Sequence, residues 1–171
     1  MSAKKYLALV SGRIKQVVSV VVSGGATNDG DLVSLDATGK LDLSVMPSGI
    51  GINNVAAVAS ETLSSGALVN LYNNAGTVNA RNADATVEGK EAVGFVRAAF
   101  TSGQTATVYL SGNSISGLSG MTPGTRQYLS TTPGTHTETP PSATGNVVQC
   151  IGMSDDAATI LFEPREGVTL A

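Results

Sequence analysis

The chain has 171 residues, 10 Lys and Arg against 13 Asp and Glu, and a net charge of −3. A charged fraction of 13% beside 42% hydrophobic residues excludes a chain held unfolded by its own charge, and the length suffices for one buried core. One cysteine excludes an intramolecular disulfide scaffold, and no Asn-x-Ser/Thr sequon occurs.

In chain order, Lys4, Lys5, Arg13 and Lys15 come before the first acidic residue, Asp29. Such a basic stretch suits nucleic acid, an acidic protein surface, or a solvated strand whose lysines protect its edge. Lys4-Lys5 followed by Tyr6-Leu7-Ala8-Leu9-Val10 imitates a signal peptide, but Arg13, Lys15 and Gln16 interrupt the apolar run. A protein without an export signal is therefore expected. The apolar run 17–22 is too short to cross a bilayer, so no membrane partner is expected.

Residues 13–22 are β-branched and predict a strand ended by Ser23-Gly24-Gly25. A second strand is predicted over 31–36. Residues 41–51 are apolar but broken by Pro47, Gly49 and Gly51, which suits an extended arm lying on another surface better than a regular ladder. From Val55 onward the pattern is of short strands and turns. Residues 68–72 and 77–81 predict a hairpin, as do 126–130 with 135–139 around Pro133-Gly134, and 147–153 with 158–163. A strand is also predicted over 93–100. Ala106, Val108 and Leu110 alternate with Thr105, Thr107 and Tyr109, the mark of a half-buried strand. Only residues 84–92 suit a short helix.

The stretch 63–94 resembles 121–152 at a fixed offset of 58 residues, with seven identities in 32 positions: Gly66, Leu71, Gly76, Thr77, Ala85, Thr86 and Gly94 recur as Gly124, Leu129, Gly134, Thr135, Ala143, Thr144 and Gly152. The expected fold is all-β: an antiparallel β-sandwich or partly open β-barrel built from two similar units, with an extended N-terminal β arm. Residues 1–54 form the arm, 55–165 the body and 166–171 a tail.

Catalytic arrangements are scarce. His136 is the only histidine, beside a turn where an exposed, non-functional role is expected. Cys150 in an apolar strand reads as a buried, inert thiol. Asp155-Asp156 fits a hairpin turn better than a calcium loop. No enzyme activity, metal or cofactor is expected. Tyr6 among the N-terminal lysines is too little aromatic surface for a nucleic-acid partner.

Leu35-Asp36-Ala37-Thr38-Gly39-Lys40-Leu41-Asp42, continuing to Met46-Pro47-Ser48-Gly49-Ile50-Gly51, resembles a segment of tailed-bacteriophage virion proteins. So do the pattern from Gly66 to Gly76, Glu91-Ala92-Val93-Gly94-Phe95-Val96, residues 118–130, Pro140-Pro141 and Gly145-Asn146-Val147-Val148-Gln149. The group is the head decoration, or capsid cement, proteins. The resemblance implies a β-rich protein made in the host cytoplasm and bound to the outer capsid surface of the virion. Its partners would be the major capsid protein and itself, as a homotrimer at local threefold axes, with a dimer as the rival. Val18, Val20, Leu41, Leu43, Val45, Met46 and Ile50 are the candidate capsid or subunit contacts, and filling the protein's own core is the competing role for each. The alternative is a tail-fibre or receptor-binding module contacting host glycans through loops 113–120 or 131–137.

Overall fold

The computed structural model describes residues 4–46 and 53–171. The chain divides into two compact units, Met1–Gly51 and Ile52–Ala171.

In the first unit, β1 (Lys5–Val10) and β2 (Arg13–Val18) form an antiparallel hairpin in which Leu9 faces Ile14 and Lys5 faces Val18. Ser11 and Gly12 turn the chain with φ of 52° and 75°. Two positive φ values give the turn a twist that matches the flanking strands. The strand expected over 13–22 thus stops at Val18, and the signal-like segment before it is its partner. Residues 31–36 form no strand: Val33 makes one isolated parallel bridge to Val20, with Val20 N donating to Leu32 O at 2.9 Å and Ser34 N to Val20 O at 2.8 Å. Asp36 ends this stretch, because its Oδ1 accepts from Thr38 N, Thr38 Oγ1 and Lys40 N and folds the backbone into a turn. Short 3-10 turns occupy Gly25–Asn28 and Leu43–Val45. The second replaces part of the extended run expected over 41–51; Asp42 Oδ1 accepts from Ser44 N and starts it.

In the second unit, β3 (Asn54–Ala59), β4 (Leu68–Asn74), β5 (Thr77–Asn82), β6 (Gly94–Val96) and β7 (Thr105–Tyr109) close into a barrel of order β3-β5-β4-β6-β7. Every pair is antiparallel except β3–β5. A ring with an odd number of strands cannot alternate in direction all the way round, so one parallel pair is unavoidable. That is where the expected all-antiparallel arrangement fails. A five-stranded ring is also narrow, since barrel diameter grows with strand number. Its interior is accordingly filled by Ala57, Ala59, Ala67, Ala80 and Ala106 with Leu63, Val69, Val96 and Val108.

After the barrel come β8 (Ser114–Ile115), β9 (Arg126–Leu129), β10 (His136–Thr137), β11 (Val147–Val148), β12 (Cys150–Ser154), β13 (Ile160–Phe162) and β14 (Val168–Thr169). Five of them form an open antiparallel sheet of order β10-β9-β12-β13-β8. This is the barrel's order again, with β8, β9, β10, β12 and β13 standing for β3, β4, β5, β6 and β7. Only the closing pair is missing. β14, in the expected C-terminal tail, pairs with β11.

A second core lies between barrel and open sheet. Leu68 and Phe95, on the outer side of barrel strands, meet Ile115, Leu129, Ile151, Ile160 and Phe162. Phe95 and Phe162 contact edge to face with centroids 5.3 Å apart. Leu68 and Val69 show the period-2 logic, adjacent in sequence yet in different cores.

Two details bear on the repeat. Gly94 and Gly152 are both places where a neighbouring strand comes close: a Cβ at Gly94 would sit 2.5 Å from Val108 Cγ1, and one at Gly152 would collide with Leu161 O. Gly152 also has φ of 146° and follows a register shift against β9, the signature of a bulge. Residues 84–92 form turns rather than a helix, since Asp84 Oδ1 captures Thr86 N and Thr86 Oγ1.

Candidate interaction surface

The first unit carries the apolar surface. Of the sixteen exposed large hydrophobic residues among those described, ten lie between Leu7 and Leu41. The β1–β2 hairpin concentrates them by register. Directly opposed residues of an antiparallel pair share a face, so Lys5, Leu7 and Leu9 stand beside Val18, Gln16 and Ile14. Leu7, Leu9 and Ile14 are 73%, 74% and 75% exposed and Val18 is 48% exposed. On the reverse face Tyr6, Ala8 and Val17 are half-buried, and the Tyr6 hydroxyl accepts from Leu32 N at 3.3 Å.

Three of the candidate contacts come together elsewhere in this unit. Val20, Val45 and Met46 line an open pocket of about 390 Å³ with Ser23, Asn28, Asp31, Val33 and Ser44. Ser23 N donates to Ser44 Oγ at 2.8 Å across it, and Asn28 Nδ2 donates to Asp31 Oδ2 at 3.0 Å. Val18 is on the hairpin face and Leu41 is exposed. The Leu43 backbone lies in the second 3-10 turn. Ile50 lies outside the described residues. Leu7 and Leu9 belong to the signal-like run and Ile14 to the strand expected over 13–22, so none of the three is among the expected contacts; Ser11-Gly12 between two apolar stretches is the available hairpin signal.

The second unit holds a polar cluster at its open sheet. The barrel-interior residues Val69, Ala80 and Val96 correspond, 58 residues on, to Gln127, Glu138 and Ser154. Gln127 is fully buried; its Oε1 lies 2.9 Å from His136 Nδ1, and its Nε2 donates to Glu138 Oε1 and Ser154 Oγ at 3.4 Å each. With the amide nitrogen turned to those two, its oxygen accepts a proton carried on Nδ1. His136 is therefore half-buried and hydrogen-bonded, not the exposed turn residue expected. Burial pushes its pKa down, against a smaller upward pull from the Glu138 charge. Glu138 is held below the usual carboxylate range, chiefly by the Thr122 N–H.

Cys150 is half-buried rather than buried, and lines an open depression of about 410 Å³ with Arg126, Met153, Leu161, Glu163 and Arg165. The bulge at Gly152 turns this stretch of β12 partly outward. Asp155-Asp156 does sit in the β12–β13 turn, where Asp156 Oδ1 accepts from Ala158 N at 2.7 Å. Among the described residues no group of three His, Cys, Asp or Glu is placed to hold a metal ion, and no helix is long and apolar enough to cross a membrane. No protein-family model, curated protein or solved structure matches the chain.

Proposed function

We propose that this is a structural virion protein of the phage head-decoration type, which binds the outer capsid surface and braces neighbouring capsid subunits. The observation that carries the reading is the crowding of exposed Leu, Ile and Val into residues 4–46, a surface that suits attachment because isolated chains seldom leave such patches bare. In this reading that unit is the attachment arm, and the major capsid protein is its partner. The second unit is a spacer made of two copies of one five-stranded element, the first closed and the second open. Assembly as a trimer, or a dimer, repeats a weak contact and multiplies it. No catalytic role is assigned to the polar cluster, whose groups are spent on one another.

Mixing purified protein with undecorated phage heads, followed by electron microscopy and a heat challenge, tests the proposal. Ordered density on the lattice and greater heat resistance are expected. Bare heads with unchanged heat resistance would overturn it.

A second reading, a receptor-binding module for host glycans, is favoured by one feature. A pocket of about 270 Å³ is lined by hydroxyl and amide groups of Thr62, Ser64, Ser65, Asn82 and Thr135 with His136, and it draws on both loops where a glycan contact was expected. A protein present in a few copies per virion that retains a glycan on an array would support this reading over the first.

A further inference from the structure

We infer that the β1–β2 hairpin docks through Leu7, Leu9, Ile14 and Val18 onto an apolar protein surface rimmed by carboxylates, belonging to a chain other than this one. The inference rests on the attachment reading and adds to it the face used and the chemistry of what that face meets. Four apolar side chains on one side of a two-stranded sheet lose hydration only if another surface covers them. An isolated hairpin is marginal in water, so a covering partner also stabilises the element that binds it.

Charge selects among occupants. Lys4, Lys5, Arg13 and Lys15 are all exposed and no acidic residue precedes Asp29; Lys5 stands on the apolar face itself, while Arg13 and Lys15, opposite Val10 and Ala8, belong to the reverse face and can reach a partner only around the strand edges. Two copies meeting through the apolar face would bring their Lys5 ammonium groups together with no carboxylate in either hairpin to offset them, which disfavours self-pairing through the hairpin. A nucleic acid would satisfy the cations but leave Leu7, Leu9 and Ile14 without partners. An anionic bilayer would satisfy both, yet it offers nothing to the free backbone N–H and C=O groups along the two strand edges, which are costly in hydrocarbon. The hairpin's one aromatic ring, Tyr6, also points to the reverse face. A protein surface with apolar centre and acidic rim meets all three requirements.

The test uses the full chain and undecorated heads. Binding of the unaltered protein should weaken roughly tenfold or more between low and high salt. It should also weaken on heads whose carboxylates have been capped as neutral amides, a change that leaves this protein's folding untouched. Leu7→Ser/Leu9→Ser/Ile14→Ser should lose roughly a hundredfold in affinity. Lys4→Gln/Lys5→Gln/Arg13→Gln/Lys15→Gln should keep binding but lose its salt dependence. If heads bind and neither capping nor either variant changes affinity, the inference is overturned while the attachment reading stands. If heads do not bind at all, both fall. Preferential binding to vesicles of phosphatidylserine and phosphatidylcholine, or concentration-dependent self-association abolished by the serine variant, would also overturn it.

Discussion

Glu138 holds Thr122 by two hydrogen bonds, from the Thr122 N–H to Oε1 at 2.5 Å and from the Thr122 hydroxyl to Oε2 at 3.2 Å. The same strand position in the barrel is Ala80, whose backbone pairs with Ala59 in the closing parallel ladder. The open sheet lacks that ladder, and a side chain instead ties the residue after β10 to the β8–β9 connection. A side-chain clamp can be titrated; a ladder cannot.

Stability should consequently fall in acid in two stages. His136 has its pKa lowered below the ordinary 6.5, so its neutral form favours the folded state, and that contribution is full above about 6.5 and is lost as pH falls through the folded value. Glu138, lowered below the ordinary 4.5, adds stability that is full above about 4.5 and is lost further down. Urea midpoints measured from pH 8 to pH 3 should show both declines, with Glu138→Gln removing the lower and His136→Gln the upper.

Gly152→Ala should be among the most damaging single substitutions in the second unit. The added methyl has no room against the Leu161 carbonyl, and alanine resists a φ of 146°. A loss of about 3 kcal/mol or more is expected by chemical denaturation. Gly94→Ala, which would meet the movable Val108 side chain at 2.5 Å and the Tyr109 carbonyl oxygen at 2.8 Å but needs no positive φ, should cost less.

Ala106→Leu should destabilise by overfilling the narrow barrel, by about 1–3 kcal/mol or more, although the change is from one apolar residue to another. An unchanged denaturation midpoint would mean that the ring is wider than its alanine lining implies.

Gln149 acts as a piece of strand. Its Oε1 accepts from Ala92 N at 2.8 Å while its Nε2 donates to Ala92 O and Arg165 O at 2.9 Å each. Gln149→Leu keeps the bulk but orphans three backbone groups, so a loss of about 2–4 kcal/mol is expected, with faster amide exchange at Ala92.

Ala75→Asn should stabilise. Ala75 takes φ of 50° beside Gly76 at 88° in the two-residue β4–β5 turn, a conformation in which alanine is strained and asparagine is favoured. A gain of about 0.5–1 kcal/mol in thermal or chemical unfolding is expected.

The all-β character was legible because Ala106 and Val108 alternate with threonines and because glycine turns recur at a constant offset. The three expected hairpins, at Gly76, at Pro133-Gly134 and before Ile160, are present. The ring was not legible, since nothing local to β3 or β5 states that they pair in parallel across an intervening hairpin strand. The polar cluster was hidden for the opposite reason: Gln127, Glu138 and Ser154 look like surface residues until the fold turns them toward one another. In the first unit, the apolar residues at 41–46 drew attention by their density, whereas the more exposed Leu7, Leu9 and Ile14 were masked by the lysines that flank them.

Placing every early cation on one hairpin has a practical consequence at the chromatography column. A protein of net charge −3 at pH 7 should pass through a cation exchanger, yet this one offers it Lys4, Lys5, Arg13 and Lys15 spread along one hairpin with no carboxylate before Asp29. It should be retained at low salt by its tip alone, and clipping after Val18 should send the remainder straight into the flow-through.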